Sequence, residues 1–413
     1  MELRSFHVDI DECELQQLRR VPGCRKISGG SELVQEYEAC LARYFGVTYA
    51  LAFSSGTAAI HGAIAALGIG PGDEVILPPT PPVMSGLPVL FQNAIPVFVD
   101  VERESFDIDL ADLRRKLSPR TKAVLCVPMW GYPMNVDAVV TLCAERGVPV
   151  IEDVAQGTGA SVKGRKLGTH GVIGCASTHE RKLICTGEGG FTLTDDQDLA
   201  SRMREFQRYG MVCRTGEAWE TIKHRAGYVL GWNYKINAFT AAVGISQVGK
   251  LDAKIETRRR NAHRIAARLA DCAGVRPYAI RAGDTANYYC LVLHIAAGEG
   301  RSARELAARL KAEGIPSDTL EYDYRPLYEY PIFHGDRGYG GSRCPFSCPL
   351  YQQQYQTAAC KNAEAFMPSL TTLPTHEGLT DAQLEYMCQA FRRVHAALEV
   401  AGLPPAGDVA ATR

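Results

Sequence analysis

Five short apolar runs punctuate the first part of the chain, at residues 49–53, 74–77, 96–99, 123–127 and 148–151. Each is a near-continuous stretch of Val, Ile, Leu or Ala, the pattern of strands buried on both faces. Helical spacing fills the intervals, at residues 31–45, 57–67, 110–117 and 136–146. Turn-forming clusters such as Gly70-Pro71-Gly72-Asp73 separate the elements. This alternation predicts an α/β domain on a mainly parallel sheet.

From Asn237 the pattern changes to a long helical stretch through Ile265, with Arg258-Arg259-Arg260 expected on a solvated face. A strand candidate at 288–293 and a helix at 302–313 follow. The predicted organisation is a large α/β domain over 1–250, a smaller α+β domain over 251–403 and a disordered tail over 404–413. Residues 322–355, rich in Tyr, Pro and Gly and without periodicity, read as an ordered loop that carries function.

Composition narrows the function. With 413 residues, 46% hydrophobic and 22% charged, the chain has room for two domains and a large core. A net charge of −1 and no Lys/Arg block leave neither a nucleic-acid nor a membrane footprint, which points to small-molecule substrates. The first residues lack the apolar run of a signal peptide, and no run approaches a membrane span, so a cytoplasmic location is expected. The 14 cysteines are scattered and read as thiols. Cys344, Cys348 and Cys360 form the tightest group, but their spacing matches no strong ligand template and no metal is expected.

The candidate chemistry centres on Lys182, in Ser177-Thr178-His179-Glu180-Arg181-Lys182, ahead of the glycine-rich 186–190. Asp153 stands two residues beyond the apolar run Val148-Pro149-Val150-Ile151. A lysine amine and a buried carboxylate are what pyridoxal phosphate requires, one to bond its aldehyde and one to pair with its pyridine nitrogen. Ser54-Ser55-Gly56-Thr57 joins a strand to a helix, so free backbone N–H groups and hydroxyls meet any anion there. Taken alone, that segment reads at least as readily as a plain N-cap. Gln156, three residues after Asp153, and Ser177, at the end of a strand-like run, are further candidates for the same ligand.

Ordered blocks along most of the chain carry a resemblance: Ser54-Ser55-Gly56-Thr57-Ala58-Ala59, Gly70-Pro71-Gly72-Asp73-Glu74-Val75, Ile151-Glu152-Asp153-Val154-Ala155-Gln156, Gly187-Glu188-Gly189-Gly190 and Asn233-Tyr234-Lys235-Ile236-Asn237. The chain resembles the DegT/DnrJ/EryC1/StrS family of pyridoxal-phosphate-dependent sugar and cyclitol aminotransferases, with the fold type I architecture of aspartate aminotransferase. The resemblance implies that Lys182 forms the Schiff base and moves the proton, that Asp153 pairs with the pyridine nitrogen and that Gln156 contacts the 3′-oxygen. It implies that Ser55, Gly56, Thr57 and Ser177 hold the phosphate, and that Asn233 reaches it from the neighbouring subunit of a homodimer.

The amino-acid donor would be glutamine or glutamate, pyridoxamine phosphate the alternate cofactor form, and the acceptor a keto sugar or keto cyclitol of aminosugar or aminoglycoside antibiotic biosynthesis. In two places the chain departs from the family pattern. Pro82 stands where an aromatic residue usually stacks on the cofactor ring, with Trp130 a candidate to fill space nearby. His179, Glu180 and Arg181 replace residues that are usually aromatic, so His179 and Arg181 are substrate candidates, as are Tyr324, Arg325 and His334. Two alternatives remain: a deoxysugar dehydratase, whose relatives replace the lysine by histidine, and a non-catalytic regulator on the same fold. A Rossmann dehydrogenase is set aside because no G-x-G-x-x-G follows the first strand.

Overall fold

In the computed structural model, which describes residues 3–212, 223–296, 302–317, 325–335 and 337–401, all five runs become strands of one sheet. Helices α1 (Glu12–Leu18) and α2 (Glu32–Phe45) lead into β1 (Tyr49–Phe53), α3 (Gly56–Ala66), β2 (Glu74–Leu77), α4 (Val83–Phe91) and β3 (Ile95–Phe98). Then come α5 (Leu110–Lys116), β4 (Thr121–Cys126), α6 (Val136–Ala144) and β5 (Val150–Asp153). A small hairpin of β6 (Ser161–Val162) and β7 (Arg165–Lys166) precedes β8 (Ile173–Ser177), β9 (Gly190–Thr194) and α7 (Gln197–Phe206). The sheet order is β1-β9-β8-β5-β4-β2-β3. Only β9 runs against its neighbours; the pairs from β8 to β3 are parallel.

The sheet explains why the runs are apolar throughout. Along β1, Leu51 and Phe53 join one core and Ala50 and Ala52 the other; Val75 and Leu77 part in the same way from Ile76, and Ala123 and Leu125 from Val124 and Cys126. Successive side chains point to opposite faces, and helices cover both, so along these strands only Lys122, near the start of β4, is left exposed.

Helix α8 (Ala238–Arg268) packs on α2 and α1 and runs across the 250/251 position at which the sequence divides the chain. Beyond it a second sheet of β10 (Val275–Pro277), β11 (Leu291–Ile295) and β12 (Leu370–Leu373) is antiparallel. It packs with α9 (Ala303–Ala312) and, through α9, α11 (Asp381–Ala401); the short helix α10 (Lys361–Phe366) precedes β12. The strand expected at 288–293 starts later, because Tyr288 has a positive φ of 49° and cannot enter a ladder.

Three expectations change. Arg258 is not solvated: it is 3% exposed and paired with Glu377. Helix α4 was hidden by its prolines; Pro82 precedes its first turn, where a preset φ is tolerated, and Pro88 sits inside a helix held by burial rather than propensity. The described part of 322–355 makes short 3-10 turns whose Leu327 and Phe333 are fully buried, with Phe333 packed edge-on against Phe98. Cys360 joins that core and Cys348 packs against it. The tail 404–413 lies outside the described residues.

Candidate active site

A cavity of about 680 Å³ opens where the C-terminal ends of β1, β5 and β8 meet the start of α3. That is where open parallel sheets bind ligands, since loops leaving adjacent strands diverge there.

Asp153, the last residue of β5, lies at the cavity wall and is 4% exposed. Its Oδ2 accepts a 2.6 Å hydrogen bond from the Ser85 hydroxyl and its Oδ1 a 3.1 Å bond from the Ala155 N–H. Burial pushes its pKa up from the ordinary carboxylate value; the Ser85 and Ala155 bonds and the positive charge of Lys182 oppose that rise. A buried carboxylate short of compensation is suited to take a cationic partner.

Lys182 lines the same cavity, half-buried, its ammonium 5.1 Å from the centroid of the Tyr289 ring. Its loop has no long ladder, yet it is held: Thr178 N–H donates to Gly189 O (2.9 Å), Thr186 N–H to Thr178 O (2.8 Å) and Glu180 N–H to Gly187 O (2.9 Å). Gly189 adopts φ 155°, and a Cβ there would stand 2.4 Å from Thr178 Oγ1, so no other residue fits.

The third wall is the first turn of α3. Ser55 caps it, its Oγ accepting from Ala58 N–H at 3.0 Å, which leaves the N–H groups of Gly56 and Thr57 for an anion. Ser177 Oγ accepts from His179 N–H at 3.3 Å and keeps its own proton to donate. A Cβ on Gly56 would lie 2.7 Å from Ser177 Cβ; glycine is what lets the helix end approach β8.

Gln156 is oriented by Trp130, whose backbone N–H donates to its Oε1 at 2.7 Å. The carboxamide NH2 is thereby the end left for a ligand oxygen. The Trp130 ring packs edge-on against Phe106 and does not line the cavity, so its contribution is a main-chain one. Pro82 does line it, with Met84 and Ser85.

His179, Glu180, Arg181 and Glu188 form a polar collar. His179 Nε2 stands 3.8 Å from Glu188 Oε1, and the Arg181 guanidinium sits 5.3 Å from the centroid of Phe6. Other expected residues lie away from the cavity. Asn233 is exposed and accepts from the Lys235 ammonium; Arg325 stacks over Tyr330 at 5.2 Å; His334 is exposed, 3.1 Å from Glu329 O. Tyr324 lies outside the described residues. Ser85, Glu188 and Tyr289 are site residues that spacing alone did not single out; the signal for Ser85 was its place just after an apolar proline run.

These walls suit pyridoxal phosphate: anion donors at one end, a buried carboxylate, an amide for a ring oxygen, and one lysine among the lining residues.

Comparison with known proteins agrees. A sequence model of the DegT/DnrJ/EryC1/StrS aminotransferase family matches residues 8–348. GDP-perosamine synthase of Caulobacter vibrioides is 32% identical over 370 residues, covering 89% of this chain and 91% of its own. L-glutamine:2-deoxy-scyllo-inosose aminotransferase of Streptomyces kanamyceticus is 34% identical over 319 residues, 74% of this chain and 73% of its own. The crystal structure of the aminotransferase TlmJ from Streptoalloteichus hindustanus superposes with a TM-score of 0.81 at 28% identity, covering 97% of this chain and 100% of that one.

Proposed function

The chain belongs to the DegT/DnrJ/EryC1/StrS family and is a pyridoxal-phosphate-dependent aminotransferase of fold type I, and from that premise we propose that it carries an amino group from glutamine or glutamate to a keto sugar or keto cyclitol. The observation that carries this is the convergence of Asp153, Lys182 and the α3 N-terminus on one cavity.

Pyridoxal phosphate, when bound, supplies an aldehyde carbon that takes up the donor amine and a ring that absorbs the electron pair left by deprotonation. The first turn of α3 with the Thr57 and Ser177 hydroxyls binds its phosphate, and Asp153 pairs with its ring nitrogen. Gln156 orients the ring oxygen, and the faces of Pro82 and Val127 exclude water. Lys182 Nζ removes the proton from the donor Cα in the first half-reaction. In the second it delivers one to the carbon that was the acceptor's ketone.

A homodimer in which Asn233 completes the neighbour's phosphate site is part of the reading. It is supported by the apolar side chains exposed just before Asn233, Leu230 at 85% and Trp232 at 52%, which one subunit leaves uncovered. Aminosugar or aminoglycoside antibiotic biosynthesis in the cytoplasm is the setting proposed. Among the described residues no helix is long and apolar enough to cross a membrane. The dehydratase reading is disfavoured by Lys182 itself.

The test is to load the purified protein with pyridoxal phosphate, add L-glutamine or L-glutamate, and follow the visible band of the lysine-bound cofactor, then supply keto-sugar and keto-cyclitol acceptors. The donor should bleach the band and an acceptor restore it. Lys182→Ala should show neither; sustained turnover by that variant would refute the assignment.

A further inference from the structure

The lysine loop is held from behind by one stripe of α8. Gln247, Lys254 and Arg258 are spaced seven and four residues apart, which keeps them on one helix face, and all three are buried. The Gln247 carboxamide makes its full set of bonds. Its Oε1 accepts from Cys185 N–H (3.2 Å) and the Lys254 ammonium (2.7 Å), and its NH2 donates to Asp9 O (2.6 Å) and Glu14 Oε1 (2.9 Å). Lys254 also donates to Leu183 O at 3.2 Å, with the Asp9 carboxylate 3.5 Å away. Arg258 donates to Tyr289 O at 3.3 Å while pairing with Glu377 at 2.9 Å. The backbone just after Lys182 and the residue whose ring lies beside its ammonium are thus tied to the same stripe.

The other side of the network belongs to the N-terminal segment. Glu14, whose side chain is wholly buried, accepts from Asp11 N–H at 2.9 Å, closing a capping box at the start of α1, and pairs with Lys250 at 2.8 Å. Phe6, on the same segment, is the ring beneath Arg181. Apolar side chains would join α8 to the loop without desolvating charges. A fully satisfied polar network adds a single register, which a loop with few ladder bonds lacks.

We propose that Gln247 and Lys254 are positioning residues for Lys182, carrying the anchorage of the N-terminal segment to the loop backbone and holding the lysine amine beside Tyr289. This rests on Lys182 being the amine that moves the proton. A misplacement of about 1 Å in a reacting group costs roughly 100-fold in rate, so these residues matter without touching substrate.

The experiment compares Gln247→Met and Lys254→Met with a distant core variant, Leu306→Ala, in holoenzyme given L-glutamine or L-glutamate. It reads kcat and KM of the donor half-reaction, and hydrogen exchange of residues 178–189. The two network variants should lose about 10- to 100-fold in kcat with donor KM within about threefold, and exchange should quicken in residues 178–189 and 3–18 above the rest of the chain. The distant variant should keep its kcat. The proposal is overturned if the network variants keep wild-type kcat and loop exchange, or if Leu306→Ala loses as much. Should wild-type protein show no donor reaction, the proposed function fails instead, and hydrogen exchange still decides whether Gln247 and Lys254 anchor the loop.

Discussion

Replacing Gly56 by Ala tests the phosphate cradle with one methyl group. The added Cβ would stand 2.7 Å from Ser177 Cβ, 3.2 Å from Ser177 Cα and 3.3 Å from Ser177 Oγ. Carbon atoms settle at about 3.5–4.0 Å, so the first turn of α3 and the end of β8 must part by about 1 Å. Rotation of Ser177 cannot relieve this, because two of the three atoms do not move with χ1. Overpacking of that kind costs about 1–3 kcal/mol of stability. The larger effect is on the ligand: the parting elements carry the Gly56 and Thr57 N–H groups and the Ser177 hydroxyl, and a shift of about 1 Å takes at least one of them out of hydrogen-bond range. A bond to a charged group is worth about 1.5–3 kcal/mol, or roughly 10- to 150-fold in affinity. Titration with pyridoxal phosphate, followed by the visible band, should therefore show cofactor affinity reduced by at least about tenfold in a protein that still unfolds cooperatively in urea. Wild-type cofactor affinity in Gly56→Ala would refute the placement of the phosphate.

Asp153→Asn should abolish transamination yet stabilise the cofactor-free protein at neutral pH. Burial raises the Asp153 pKa, so its contribution to stability is present below the unfolded value and lost as pH rises through the folded one; the neutral amide avoids that loss, and the advantage should shrink as urea denaturation is repeated toward pH 4. The His376 pKa is depressed to about 4, chiefly by burial. Its neutral form contributes stability above the ordinary histidine range, on the order of 3 kcal/mol, that is lost as pH falls from about 6.5 to about 4. His376→Gln, which can still donate to Arg4 O, should flatten that part of the stability profile; an unchanged profile would exclude His376 as its source.

Much of the large sheet was legible because each strand is short, apolar on both faces and bounded by turn residues; all five expected runs are strands of it. Lys182 and Asp153 were legible as chemistry, a cation in a glycine-rich loop and an acid closing an apolar strand, and both line the cavity with Ser55, Gly56, Thr57, Gln156 and Ser177. Helix α4 was not, since Pro82 and Pro88 mimic a loop and only burial against the rest of the core makes nine residues helical there. Arg258 misled for a related reason. A triplet of arginines looks solvated until the partner is known, and Glu377 lies 119 residues away.

What the sequence determined by itself was local: the period of each apolar run, a cap in Ser54-Ser55-Gly56-Thr57, and the residue types able to hold a phosphate and a pyridine ring. Which of those residues share a wall was decided by tertiary structure. Ser85 reaches Asp153 from 68 positions away, and Gln247 reaches Cys185 from 62. Such pairings follow from how helices and strands pack, because hydrogen bonds between distant segments leave no periodic trace along the chain. Only the closed fold withdraws Asp153 from water and leaves it in want of a charged partner.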